Sequence, residues 1–289
     1  MLPGNLKDVL EDQLNESVTD LQGVSGGSIN RAARLTLEKS GAAFLKWNTS
    51  ADPAMFLKEK KGLELLRSSG ADLIIPEVLA VGTVDGGTGY LLLEYIEQGG
   101  SDTGDHEQFG RELAGLHRVQ NEQYGLDHDN FIGRLPQSNT KHENWTEFFI
   151  EERMKPQLKM ALDAGKLSGS IADRFERMYR KLPAIFPEEP PSLLHGDLWG
   201  GNYFYSKEGK ATLYDPAVYY GHREIELAFT RLFGGFSGSF YKSYEEIWTL
   251  QPDFESRVDI YNLYPLLVHT NLFGGHYGNR VQSIVSRFG

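Results

Sequence analysis

The sequence predicts an α+β fold with two lobes, a β-rich N-terminal lobe over residues 1–97 and a mainly helical lobe over residues 98–289. Short strand-like runs bounded by turn residues fill the first part of the chain. A linker rich in glycine follows at residues 98–102, and helical periodicity dominates beyond it. The length of 289 residues suits one large domain or two small ones.

The predicted elements of the N-terminal lobe are two helices and five strands. Apolar side chains recur at helical spacing over residues 5–16, which predicts a short amphipathic helix. A second helix is predicted over residues 53–69, because Asp52 is a favourable N-cap and Pro53 suits the first helical position. The predicted strands are Leu21–Ser25, Ile29–Leu37, Ala42–Trp47, Pro76–Gly82 and Tyr90–Ile96.

The second lobe is predicted to be helical with one interruption. The exception is a strand–turn–strand formed by Tyr203–Tyr205 and Ala211–Tyr214. The predicted helices are Asp105–Gln120, Trp145–Ala164, Ser168–Lys181, Ile225–Phe233, Tyr244–Thr249 and a last block from Phe254.

The composition excludes several classes of function. The chain has 29 Lys and Arg against 40 Asp and Glu, and its net charge of −11 argues against nucleic-acid binding, which depends on basic residues that neutralise phosphates. The absence of cysteine excludes disulfides, cysteine zinc sites, iron–sulfur clusters and thiol catalysis. No apolar run approaches the ~18 residues of a membrane span, and the charged first twenty residues lack a signal-peptide core. We therefore expect a cytoplasmic protein without nucleic-acid or membrane partners.

The strongest functional signal is the segment HGDLWGGN at residues 195–202. Asp197 and Asn202 stand five residues apart in this loop, and Asp215 ends a later strand. Their oxygen atoms are the ligands that Mg²⁺ prefers, and the spacing matches the H-x-D-x-x-x-x-N catalytic loop and metal-binding aspartate of kinase-like phosphotransferases. The pattern predicts that the three side chains converge in a protein-kinase-like fold. The competing interpretation, ordinary turn residues, is disfavoured by the combination with Asp215.

A second signal lies in the N-terminal lobe. Glu59 falls within the apolar stripe of the predicted 53–69 helix, where an unpaired carboxylate is costly. Lys46 is the only charged residue of the predicted strand Ala42–Trp47. A strand lysine paired with a helix glutamate holds the phosphates of ATP in kinases. The alternative is a Glu59 at a frayed edge and a Lys46 that faces solvent.

A glycine loop separates the first two predicted strands. Gly26, Gly27 and Ser28 could fold over phosphates, although most Gly-Gly pairs are only turns. Residues 23–27 also match G-x-S-x-G, the nucleophile elbow of α/β hydrolases, but that motif needs a following helix and a strand is predicted here. The chain has no G-x-x-x-x-G-K-[ST] motif, so a P-loop fold is not supported.

The histidines do not predict a zinc site, because no H-E-x-x-H spacing occurs. His117, His128 and His142 are interpreted as surface or helix-face residues. The segment from Tyr264 to Tyr277, which contains His269, predicts either a wall of a polyhydroxylated substrate's pocket or a core helix that ends in a glycine turn.

Three segments together resemble the fructosamine kinase (ketosamine-3-kinase) family. They are HGDLWGGN, then YDPAVYYGHREIELAFTRLFGGF at residues 214–236, then LYPLLVHTNLFGGHY at residues 263–277. The N-terminal segments GGSIN, FLKWN and MFLKEKKGLELLRSSG agree in order and spacing, so the likeness covers nearly the whole chain. HGD alone would also admit aminoglycoside phosphotransferases and choline kinases.

The resemblance implies a role for each matching residue. Asp197 would be the catalytic base, with Asn202 and Asp215 as Mg²⁺ ligands. The implied ATP-binding residues are Lys46, Glu59, the flap Gly26, Gly27 and Ser28, and the hinge Glu94, Tyr95 and Ile96 beside the adenine. Trp199 and His269 are implied residues of the sugar site.

The resemblance also implies the reaction, an ATP-dependent phosphorylation of the C3 hydroxyl of a small-molecule or protein-bound ketosamine, which promotes deglycation. We expect a monomer rather than a homodimer. Many relatives carry a cysteine where this chain has Ser28, so thiol-based regulation is excluded. The metal segment reads Asp215-Pro216-Ala217 rather than D-F-G, which disfavours a protein kinase. The alternatives are another small-molecule kinase, of the aminoglycoside or choline type, and a non-catalytic nucleotide-binding pseudokinase.

Overall fold

A computed structural model describes residues 2–24, 29–100 and 104–288 of the chain. It divides into two compact units. The first unit comprises Met1–Asp105 and Tyr203–Pro216, and the second comprises His106–Asn202 and Ala217–Gly289.

A five-stranded antiparallel sheet forms the centre of the first unit. Its strands are β1 (Val18–Val24), β2 (Arg31–Leu37), β3 (Gly41–Asn48), β4 (Val78–Val84) and β5 (Thr88–Glu94), in the order β1-β2-β3-β5-β4. Two helices accompany the sheet, α1 (Leu6–Leu14) and α2 (Ala54–Ser68). The predicted strands are all present, with ends shifted by up to three residues. Because β5 ends at Glu94, Tyr95 and Ile96 follow the strand rather than close it.

Alternation along β3 separates the core from the functional face. Ala43, Leu45 and Trp47 are buried in the same apolar cluster as Leu6 and Leu10 of α1. Successive side chains of a strand point to opposite faces, so Lys46 points away from this cluster. Helix α2 packs on β4 and β5.

The second helix begins one residue later than the sequence predicts. The Asp52 carboxylate accepts a hydrogen bond from the Ala54 N–H at 2.9 Å, and Pro53 is the residue before the helix. Pro53 thus occupies the N-cap position predicted for Asp52, and the Asp52 carboxylate satisfies the first helical N–H from one residue earlier.

The β-hairpin of residues 203–213 belongs to the first unit, although the sequence assigned it to the lobe over 98–289. Ile74 donates its N–H to the Ala211 carbonyl at 3.0 Å and accepts from the Leu213 N–H at 2.9 Å. The strands are β9 (Tyr203–Tyr205) and β10 (Ala211–Leu213). The lobe boundary at residues 97 and 98 stays a prediction.

The second unit is mainly helical. Its helices are α3 (His106–His117), α4 (Trp145–Phe148), α5 (Lys155–Asp163), α6 (Ala172–Tyr179), α7 (Leu182–Ile185), α8 (Arg223–Leu232), α9 (Gly238–Ile247), α10 (Phe254–Phe273) and α11 (His276–Phe288). Its strands form two short antiparallel pairs, β6 (Asn130–Ile132) with β7 (Leu135–Gln137) and β8 (Ser192–Leu194) with β11 (Tyr219–Gly221).

Three features of this unit differ from the sequence-based prediction. The two short strand pairs were not predicted, since three-residue strands carry little periodicity. One turn of π-helix at Phe149–Met154 divides the predicted 145–164 helix. Helix α9 begins six residues before the predicted Tyr244, where the Ser237 side chain accepts from the Phe240 N–H. Within the described part of the chain, no helix has both the length and the apolar character needed to span a membrane.

Candidate active site

A buried lysine between two carboxylates dominates the first unit. Lys46 Nζ lies 2.7 Å from Glu59 Oε1 and 2.6 Å from Asp215 Oδ1. The side chains of Lys46 and Glu59 are only 5% and 9% exposed, whereas that of Asp215 is 40% exposed. The predicted contact of Lys46 with Glu59 is therefore present, and Asp215 completes an ion trio that the sequence did not predict.

The electrostatics of the trio follow from one cation facing two anions. Burial by itself lowers the pKa of Lys46, but the charges and hydrogen bonds of Asp215 and Glu59 outweigh it and hold this pKa above its ordinary value. Burial raises the pKa of Glu59 to about 6, because the attraction of Lys46 does not fully offset desolvation and the charge of Asp215. At neutral pH the lysine stays charged and Glu59 stays ionised.

The backbone at Asp215 is unusual. Its φ is +56°, a left-handed conformation that costs free energy in a residue other than glycine. Pro216 follows and further restricts the conformations of the preceding residue. Such strain is retained where the surrounding structure fixes it, and here the ion pair with Lys46 holds the side chain.

In the second unit, the HGDLWGGN loop follows β8 directly and ends at Asn202. Asn202 donates from Nδ2 to the Asp197 carboxylate Oδ2 at 2.9 Å and to the Asp197 carbonyl at 2.8 Å. Asn202 is buried and Asp197 is half-buried. The amide of Asn202 thus fixes the orientation of the Asp197 carboxylate.

Gly196 allows the loop to pack closely on the segment after Asp215. Its φ is +84°, and a Cβ at this position would overlap the Ala217 carbonyl. The Ala217 N–H donates to the His195 carbonyl at 2.9 Å. Only glycine combines this conformation with this approach.

A buried carboxylate that was not predicted from the sequence binds the backbone of the HGDLWGGN loop. Glu226 on α8 accepts hydrogen bonds from the His195 N–H at 3.1 Å and the Gly196 N–H at 2.6 Å. His117 Nε2 lies 2.9 Å from the same carboxylate. Burial would raise the pKa of Glu226, but the hydrogen bond and charge of His117, aided by the loop, hold it below its ordinary value. The ionised Glu226 ties the loop backbone to α8.

Of the two interpretations of His117, the surface position is wrong, because its side chain is fully buried at the end of helix α3. Its Nδ1 lies 2.8 Å from the Tyr244 hydroxyl, so both ring nitrogens have partners. The sequence held one signal for this pair, the carboxylate of Glu226 between the apolar residues Ile225 and Leu227.

We predict that Glu226→Gln lowers the free energy of unfolding by about 3 kcal/mol and lowers kcat. All three groups around the Glu226 carboxylate are N–H donors, so the amide nitrogen of Gln would face a donor. Denaturant unfolding and initial rates test this, with Glu246→Gln at an exposed position of α9 as the matched control. Equal stability of the two variants would contradict the role given to Glu226.

The structure places the remaining predicted site residues in different surroundings. Gly26, Gly27 and Ser28 lie outside the described residues. Glu94 is exposed, and Tyr95 and Ile96 are half-buried after the end of β5. Trp199 and His269 lie in one aromatic cluster, joined through Phe233. The predicted convergence of Asp197 and Asn202 with Asp215 joins residues of different units and stays a prediction.

The donor chemistry fits a hard cation. Among residues 2–24, 29–100 and 104–288, no group of three or more His, Asp and Glu side chains forms a metal site by itself. Mg²⁺ in phosphotransferases takes one or two protein oxygens and completes its shell with phosphates and water. Because Asn202 Nδ2 is bonded to Asp197, the atom it can offer a cation is Oδ1. Asp215 adds a partly exposed carboxylate.

Comparison with known proteins decides the family. The sequence profile of the fructosamine kinase family matches residues 4–288. The chain belongs to the fructosamine kinase family. It is 36% identical over 98% of its length to the whole of an Enterococcus faecium protein assigned as a ketoamine kinase. It is also 35% identical over 97% of its length to 86% of the chloroplastic protein-ribulosamine 3-kinase of Arabidopsis thaliana.

Solved structures agree with this assignment. A crystal structure from Haemophilus somnus, assigned as a fructosamine-3-kinase, superposes with a TM-score of 0.87 at 29% identity and covers 98% of this chain and 96% of that one. An aminoglycoside phosphotransferase covers 99% of both chains with a TM-score of 0.63 at 17% identity, which shows a shared fold alone. The predicted α+β, protein-kinase-like fold is confirmed. So is the prediction of a phosphotransferase with an alcohol acceptor, and membership of a kinase family implies the use of ATP.

Proposed function

We propose that this protein is an ATP-dependent ketosamine 3-kinase, which transfers the γ-phosphoryl group of ATP to the C3 hydroxyl of the sugar part of a ketosamine. The observation that carries the proposal is the Lys46–Glu59–Asp215 ion trio in a member of the fructosamine kinase family. The name of the plant relative, protein-ribulosamine 3-kinase, favours a ribulosamine as the acceptor. The amine is either free or part of a protein.

Lys46 binds the phosphates of ATP in this proposal. A cation held in a buried site acts more strongly on a phosphate than one in water, because solvent does not screen it. Glu59 keeps the ammonium group on the face of β3 that points away from the apolar core. Because the side chains of Lys46 and Glu59 are both buried, water does not compete for the ion pair between them.

Asp197 accepts the proton of the attacking hydroxyl in this proposal, and Asn202 keeps its carboxylate in one orientation. A base with a fixed orientation positions the hydroxyl for in-line attack, which contributes more than proton transfer in phosphoryl transfer. Glu226 acts indirectly, as a positioning residue that fixes the loop backbone. The Asn202 Oδ1 and the Asp215 carboxylate would hold Mg²⁺, which neutralises phosphate charge when bound.

The remaining nucleotide contacts are proposed from the family pattern. Gly26, Gly27 and Ser28 would cover the phosphates, and the backbone of Glu94, Tyr95 and Ile96 would contact the adenine. Trp199 and His269 would contact the sugar at the end that carries the amine. A cytoplasmic location and a monomeric state also stay predictions.

The C3 phosphate ester formed in this reaction decomposes without an enzyme. A C3 phosphate lies next to the C2 carbonyl, so enolisation toward C1 allows the phosphate to leave without further catalysis. Water then hydrolyses the resulting imine and releases the original amine. Phosphoryl transfer is therefore the only step that the protein has to catalyse.

An acceptor panel tests the proposed function. Purified protein with ATP and Mg²⁺ is offered a ribulosamine, a fructosamine, an aminoglycoside and choline at equal concentration, and ADP formation is measured. We expect the two ketosamines to be phosphorylated with higher kcat/KM than the other acceptors. Preference for the aminoglycoside or choline would contradict the ketosamine assignment, and no turnover with any acceptor would favour a pseudokinase.

A further inference from the structure

Five aromatic side chains of the second unit form a partly exposed surface that begins in the HGDLWGGN loop. We call this surface the aromatic platform, and its members are Trp199, Phe233, His269, Phe273 and Tyr277. Phe233 is 38% exposed and Phe273 is 51% exposed. Large apolar rings that are exposed as a group mark an interaction site more often than a single exposed ring does.

His269 lies at the centre of the platform. Its ring centroid is 4.8 Å from that of Phe233, 5.1 Å from that of Tyr277 and 5.5 Å from that of Phe273. The Trp199 centroid is 5.9 Å from that of Phe233. The platform therefore runs from the loop that carries Asp197 to the junction of α10 and α11.

Close backbone packing fixes this continuity. A Cβ on Gly200 would lie 3.0 Å from the Gly234 carbonyl oxygen, and a Cβ on Gly235 would lie 3.1 Å from the Gly200 Cα. The turn that follows Phe233 thus packs directly on the loop that carries Trp199. The platform is therefore continuous with this loop.

The hydrogen bonding of His269 defines what it can offer a ligand. Its Nδ1 lies 2.7 Å from the Pro265 carbonyl, which only accepts, so Nδ1 carries the proton. Burial lowers the pKa of His269, and the imidazole is neutral at pH 7. The lone pair is then on Nε2, which makes this atom a hydrogen-bond acceptor among aromatic rings.

We propose that the aromatic platform binds the amine end of the ketosamine substrate, that is, the protonated nitrogen and the alkyl group attached to it. This inference rests on the proposed function. Only C2 and C1 separate the reacting C3 from the nitrogen, so a C3 hydroxyl held at Asp197 brings the nitrogen close to the loop residues that follow. Aromatic faces attract cations, and Nε2 of His269 accepts an N–H. Phe273 and Tyr277 extend apolar area toward the alkyl group.

A pair of substrates that differ only in the alkyl group tests this assignment. The probes are the ribulosamines of methylamine and of butylamine, and kcat/KM is measured for each. We expect Phe273→Ala to lower the ratio of butylamine to methylamine kcat/KM about tenfold, mainly through KM, because the butyl chain loses apolar contact. Because Phe273 is half-exposed, its truncation leaves the fold intact, which the melting temperature verifies.

Ile247→Ala is the matched control, since Ile247 is also an exposed apolar residue of the second unit, at 37%. We expect this variant to keep the wild-type ratio. If Phe273→Ala keeps the wild-type ratio as well, the platform assignment is overturned while the kinase assignment stands. If the wild-type protein phosphorylates neither probe, the proposed function fails, and this inference fails with it.

Discussion

Asp197→Asn is expected to reduce kcat roughly 10²–10⁴-fold while ATP still binds. The amide is nearly isosteric with the carboxylate, so it keeps the shape of the loop. It does not accept the proton of the attacking hydroxyl and does not attract that hydroxyl as an anion does. Initial rates of ADP formation with a ribulosamine, together with calorimetric titration of a non-hydrolysable ATP analogue, measure the two effects separately.

The control for this variant is Asp163→Asn, which makes the same change at an exposed position of α5. It is expected to keep wild-type kcat. Near-normal turnover in Asp197→Asn would remove Asp197 from the role of base. Loss of nucleotide binding in the same variant would instead assign Asp197 to the nucleotide site.

Lys46→Met is expected to reduce kcat/KM for ATP about 10²–10³-fold. Methionine has a similar length but no charge, so the phosphates lose their buried cation. The variant also leaves Glu59, at 9% side-chain exposure, without its cationic partner. Removal of one partner from a buried ion pair costs about 3 kcal/mol of unfolding free energy.

A double variant separates the structural effect of Lys46 from the functional one. Adding Glu59→Gln to Lys46→Met removes the uncompensated buried charge, so stability should recover in part while activity stays low. Lys155→Met, at an exposed ion pair, is the control and should change neither property. Recovery of activity in the double variant would show that Lys46 acts only through stability.

The sequence predicted the parts of the site whose signal is local. The Lys46–Glu59 contact was predicted because each residue broke an apolar pattern in its own element. Asp197 and Asn202 were predicted as a pair because their five-residue spacing lies within one loop, and the structure joins them by two hydrogen bonds.

The contacts that were missed connect elements distant in the chain. Asp215 lies 169 residues from Lys46, and no local pattern indicates which lysine it meets. Glu226 and His117 are 109 residues apart, and each alone reads as a polar residue on an apolar helix face. Their pairing depends on how α3, α8 and the loop pack, which periodicity does not specify.

The prediction of helix boundaries and short strands failed for a similar reason. The π-helical turn at Phe149–Met154 lies inside a segment that the sequence predicted as one helix. The β8–β11 pair joins Leu194 to Tyr219 through tertiary contact, and it places the start of the HGDLWGGN loop beside the residues that follow Asp215 within the second unit. A single sequence shows the loop motif but not the short strands that anchor it.

In the proposed function, the protein phosphorylates C3 of a ketosamine and the ester then decays unaided. The most direct measurement follows the ribulosamine reaction of the acceptor panel by ³¹P NMR, with free amine assayed in parallel at two enzyme concentrations. We expect an ATP-dependent phosphate ester first, followed by inorganic phosphate and amine at a rate that does not depend on enzyme concentration. Amine release that increases with added enzyme after ATP is exhausted would contradict spontaneous decay of the ester and indicate a lyase.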